Sequence, residues 1–90
     1  MTSDQIDLAR HALGLPNIRN KSYRNRFYAG ERNPDYATWC DMVAAGWARG
    51  KSDGNLTFFW LLENGAKLAL VGSETLDPED FPSPQERETP

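Results

Sequence analysis

The side chains best suited to chemistry in this chain are cations interleaved with rings. Between Asn17 and Arg32 lie Arg19, Lys21, Arg24, Arg26 and Arg32 against the single acid Glu31, a local balance of +4. Arg24, Asn25 and Arg26 stand beside Tyr23, Phe27 and Tyr28. Guanidinium forks match phosphate oxygens and aromatic rings stack on bases, so the pattern suits contact with nucleic acid. The competing reading carries equal weight: the rings belong to the core, and the arginines form a solvated face paired with acids from elsewhere. Arg49 and Lys51 add two cations beside a turn, a common surface arrangement that could also reach a phosphate backbone.

Other reactive groups have less support. His11, the sole histidine, could serve as a general base, but no serine, cysteine or carboxylate is placed by sequence to work with it. A structural or exposed role is expected. Cys40 falls on the apolar stripe of a helix and is expected as a small buried hydrophobe, not a nucleophile. As the only cysteine, it excludes an internal disulfide, a zinc knuckle and a paired-thiol redox motif, which suits a reducing cytoplasm. Paired carboxylates occur only near the C-terminal end, where nothing would hold their geometry. The expectation is a non-enzymatic protein with no cofactor and no metal.

These groups need a scaffold, and a chain of 90 residues supports one domain with little stability to spare. Three tryptophans among ten aromatic residues offset the shortness, because each large ring buries roughly 150–250 Å². No apolar run approaches the roughly 18 residues that cross a bilayer, and the N-terminus lacks a leader pattern. The formal charge of −3 conceals an asymmetry: residues 74–90 carry −5, and the preceding 73 residues carry +2.

Thr2–Leu13 reads as a helix. Thr2 and Gln5 form a capping box, Met1 and Ile6 a hydrophobic staple, and Gly14 followed by Pro16 stops it. Asn17–Lys21 is a polar connection. Ser22–Gly30 reads as a two-turn helix with Tyr23 and Phe27 on one side and Arg24, Asn25 and Arg26 on the other; the alternative is an irregular loop pinned by its aromatics. Asn33 caps a main helix that opens with Pro34, runs to Ala45 and stops at Gly46, with Tyr36, Trp39, Cys40, Val43 and Trp47 on its apolar stripe. Asp35, Thr38 and Asp41 face away.

Ala48–Ser52 and Leu56–Leu62 read as strands joined at Asp53-Gly54, with Leu56, Phe58, Trp60 and Leu62 on one face and Thr57, Phe59 and Leu61 on the other. Glu63–Val71 fits two patterns: Asn64-Gly65 signals a hairpin and a third strand, while Leu62, Ala66, Ala69 and Leu70 fit a helix. After Gly72, acids and prolines dominate, four of the six prolines falling in the last 13 residues, and a flexible tail is expected over 73–90. Phe81 is its only large anchor. Such a tail could cover the basic segment, although a solubilising role is the simpler reading.

The order helix, short helix, helix, hairpin, closing segment resembles a winged-helix domain. The likeness is strongest from Met42 to Leu70 and includes Val43, Gly46, a wing around Asp53-Gly54, an apolar strand and a closing helix with Gly65 and Leu70. It tips Glu63–Val71 towards helix, although Leu62 stands where that family has a capping threonine. A longer stretch, roughly Asp7–Leu70, resembles a group of small tailed-phage and prophage proteins, through His11-Ala12-Leu13-Gly14-Leu15, Ser22-Tyr23-Arg24-Asn25-Arg26-Phe27, Met42–Gly46 and Phe59-Trp60-Leu61. This resemblance implies a phage origin without an activity.

The combined expectation is an α+β, winged-helix-like domain over 1–72 with an acidic tail, acting in the host cytoplasm as a phage accessory protein. Its expected contact residues are Arg19, Lys21, Arg24, Asn25, Arg26, Tyr28, Arg32, Arg49 and Lys51. Pro34–Ala45 is not expected to read a major groove, because it bears Asp35 and Asp41 and no cation. Nucleic acid and a host or phage protein compete as partner. Exposed aromatics would serve the protein partner, or a second copy in a homodimer.

Overall fold

The computed structural model describes residues 1–81; the last nine residues of the expected tail, 82–90, lie outside the described residues. The chain is α+β, in the order α1 (Ser3–Leu13), β1 (Phe27–Gly30), α2 (Pro34–Ala44), β2 (Ala48–Asp53), β3 (Leu56–Leu61) and α3 (Glu63–Leu68). The three strands form an antiparallel sheet in the order β1-β3-β2, an arrangement compatible with a small winged-helix-like domain.

Local chemistry sets both long helices. At α1 the Thr2 amide donates to Gln5 Oε1 at 2.8 Å and the Gln5 amide donates to Thr2 Oγ1 at 3.2 Å, which satisfies two of the helix's free amide donors. Gly14, at φ 79°, ends it in the left-handed conformation. At α2 the Asn33 side chain accepts from the Asp35 amide at 2.9 Å, and Pro34 occupies the first turn. The β2–β3 loop consists of Gly54 and Asn55 between the paired residues Asp53 and Leu56, one position later than Asp53-Gly54. Gly54 takes the positive φ (62°) that the first position of a tight hairpin loop requires.

The helices cover one face of the sheet. Trp39 of α2 is fully buried and stacks on Phe59 of β3, with ring centroids 5.4 Å apart and planes 16° apart. Phe27 closes on Trp39 from β1 at 5.5 Å, and Tyr36 meets Phe59 edge-on at 5.8 Å. Ala9, Ala12 and Leu13 bring α1 into the same core, with Met42, Ala48, Leu61, Ala66 and Ala69. Gly50 admits the Phe59 ring, because a Cβ there would lie 2.9 Å from it.

Four expectations need correction. Ser22–Gly30 is not a helix: the chain is irregular to Arg26 and then forms β1, because β3 has a second edge to pair and FYAG alternates inward and outward at a period of two. Tyr23, expected on the inner side of that helix, is 62% exposed. Cys40 is exposed, since the buried face of α2 is centred on Trp39 and Met42. The segment after Gly72 is docked on the domain as far as Phe81. The Ser22 amide donates to the Thr75 carbonyl at 3.0 Å, the Thr75 amide to the Asn20 carbonyl at 2.9 Å, and the Asp77 amide to the buried Ser22 hydroxyl at 2.9 Å. Arg10 and Glu74 join in a two-pronged ion pair, and Phe81 is buried.

Of Glu63–Val71, Glu63–Leu68 resolves as the helix α3, and no third strand follows it among the described residues. Leu62 caps it without a side-chain hydrogen bond. Packing fixes α3 instead: Gly65 lies against the Trp47 backbone, and Asn64 donates to the Gly46 carbonyl at 3.1 Å.

Candidate functional site

Strand alternation puts every second residue of the sheet on the face away from the helices. On β3 these are Leu56, Phe58 and Trp60; on β1, Tyr28; on β2, Arg49, Lys51 and Asp53. The register sets them side by side. Tyr28 and Lys51 flank Phe58 from opposite neighbours, and Arg49 lies across from Trp60. Tyr28 and Phe58 have centroids 5.1 Å apart and Phe58 and Trp60 5.4 Å, with tilts of 32° and 33°, so the three rings form one continuous row. Tyr28 is 54% exposed and Leu56 48%, while Phe58 and Trp60 are half-buried.

Asn25 and Arg26 lead into this face in different ways. The Asn25 side-chain amide donates to the Leu61 carbonyl and accepts from the Leu61 amide, both at 2.8 Å, and so extends the β1–β3 ladder by one rung. Both of its polar ends are taken up within the fold. Arg26 is exposed, one residue before β1, and borders two hollows: one with Tyr23, Arg24, Asn25, Phe58 and Asp80, the other with His11, Arg24, Phe27 and Tyr28.

Arg24 is half-buried. Its guanidinium donates to the His11 carbonyl at 2.7 Å and lies 5.3 Å from the Tyr23 ring centre, and its Nε is buried without a partner among the described residues. His11 is exposed, edge-on to Phe27 at 5.6 Å.

The remaining cations diverge. Arg19 and Lys21 border a groove with Asn17, Ile18, Ser22, Tyr23 and Asp77. Arg32 borders a cleft with Glu31 and the β2–β3 loop. The structure therefore gathers Arg26, Tyr28, Arg49 and Lys51 on one face, with Arg24 at its margin, and leaves Arg19, Lys21 and Arg32 apart. Phe58 and Trp60 were absent from the expected contact set; the alternation of β3 was the signal, since it required cover on two faces and only one is covered by helices.

Among the described residues, no ion pair compensates the cations of this face. Among the described residues the ion pairs are Arg10–Glu74 and Lys67–Glu63, so no carboxylate lies within 4.0 Å of Arg24, Arg26, Arg49 or Lys51. The Asp80 carboxyl, at the rim beside Arg24 and Arg26, is raised from its ordinary value by burial and by the neighbouring Asp77 and Glu79.

Compared with known protein families, curated proteins and solved structures, the chain matches none.

Proposed function

We propose that this chain is a non-enzymatic accessory protein of phage or prophage origin that works in the host cytoplasm and contacts nucleic acid. One observation carries the reading: cations from two separate stretches of sequence, Arg26 beside Tyr28 and Phe58 and the pair Arg49 and Lys51 on β2, flank a partly exposed row of rings on a single sheet face. Phosphate neutralisation supplies affinity and ring faces supply base contact. A helix read-out mode is not part of the proposal, because α2 bears Asp35 and Asp41 and no cation.

The test is titration of the full chain with labelled nucleic acid across a range of salt. Three phosphate contacts give a slope of about −2 in log affinity against log salt for a single strand, or about −2.7 for a duplex. Arg26→Ala, Arg49→Ala and Lys51→Ala should each flatten it by about one phosphate's share. Binding that ignores salt, or none at all, would move the assignment to the second reading, a protein partner or second copy docking on the same rings. That reading draws on Leu56, whose apolar side chain is 48% exposed beside them.

A further inference from the structure

We infer that the nucleic acid accepted by this face is a single strand whose leading base stacks on Tyr28, a deduction that rests on the nucleic-acid reading above. Bases inside a duplex already have both faces covered by their neighbours, so an exposed ring at the end of the row can complement only an unstacked base. The surface is also a flat sheet face and not a cationic helix shaped for a groove.

Ring geometry locates the stacking position. Centroids 5.1 and 5.4 Å apart leave no slot for a base between Tyr28 and Phe58 or between Phe58 and Trp60. A base must therefore extend the row at an end. Tyr28 is the open end: it is 54% exposed and lies on β1, an edge strand, whereas Phe58 and Trp60 are half-buried on the central strand. The hollow beside Tyr28 is bordered by His11, Arg24, Arg26 and Phe27, which brings guanidinium donors to the place where that nucleotide's phosphate would pass. Arg49 and Lys51, on β2 and two strands from Tyr28, give the following phosphates their cations about 9.6 Å across the sheet. The polymer thus crosses the sheet from β1 towards β2.

The deciding measurement is fluorescence anisotropy of the full chain with labelled mixed-sequence DNA and RNA strands of about ten nucleotides, and with the matching DNA duplex. Tyr28→Leu keeps an apolar side chain at an exposed position and removes the ring, and its melting temperature is checked against the parent. The inference expects either single strand to bind about tenfold more tightly than the duplex, and Tyr28→Leu to weaken that binding about tenfold while leaving duplex binding unchanged. The tighter of the DNA and RNA strands identifies the source. Equal single-strand and duplex binding, or a Tyr28→Leu chain that binds like the parent, overturns the stacking inference and leaves the nucleic-acid reading standing if Arg26→Ala still weakens binding. No binding to any of the three overturns both.

Discussion

Removing the Asn25 side chain should cost stability rather than a ligand contact. In the structure that amide supplies an acceptor to the Leu61 amide and a donor to the Leu61 carbonyl, each at 2.8 Å. Leu61 is 1% exposed, so water reaches its backbone poorly. Each orphaned buried polar group costs about 1–3 kcal/mol, and Asn25→Ala orphans two, a loss of about 2–4 kcal/mol once partial rehydration is allowed. A chain of this length has a total stability of about 5–13 kcal/mol. The loss therefore corresponds to a fall in melting temperature of about 10–30 °C. Asn25→Asp keeps the acceptor, removes the donor and sets a carboxylate against a carbonyl, so it should destabilise as well. Urea titration and thermal melting followed by circular dichroism read both variants. An Asn25→Ala chain within about 0.5 kcal/mol of the parent would refute the reasoning. Reduced nucleic-acid binding with unchanged stability would return Asn25 to the contact surface.

Two other perturbations probe the scaffold. The Glu74 carboxyl is lowered from its ordinary value chiefly by the hydrogen bond from Arg10, against an opposing effect of burial. Its contribution is therefore full above the unfolded carboxyl value, near pH 4.5, and fades as pH falls through the lower folded value. Glu74→Gln should lose about 1.5–3 kcal/mol at pH 7 and show a shallower acid-side decline than the parent in urea midpoints measured against pH; parallel curves would count against the pair. At Gly65 a Cβ would fall on the Trp47 carbonyl and within 2.8 Å of the Trp47 Cβ. Alanine's gain in helix propensity is about 1 kcal/mol, but the obstacle is backbone, so Gly65→Ala should lower stability by about 1–3 kcal/mol; an unchanged melting temperature would show that α3 can shift.

How legible each element was depended on the range of its causes. The ends of α1 and α2 were readable because Thr2, Gln5, Gly14, Asn33 and Pro34 act within a few residues of where they sit. The β2–β3 hairpin was readable for the same reason. By contrast, β1 exists because β3, some thirty residues later, has an edge to offer, and no local pattern announces a distant partner. Tyr23 and Phe27, four apart, therefore imitated a helix. The docked stretch from Glu74 to Phe81 was hidden by its composition, which resembles a free tail; Arg10 and Ser22 capture it, and both lie far away in sequence. The candidate site divided along the same line: the cations and Tyr28 could be singled out by type, but their convergence with Phe58 and Trp60 is a property of strand register.

The pairing of Arg10 with Glu74 joins the opening helix to a residue 64 positions further on. During synthesis α1 is made before the other elements described, yet the Arg10 guanidinium meets its carboxylate only once Glu74 has emerged. The domain is thus closed only once Glu74 has been made, and it closes as one unit. A nascent or truncated chain that stops short of Glu74 would display Arg10 and the unsealed flank of α1, and would be the form most exposed to proteases.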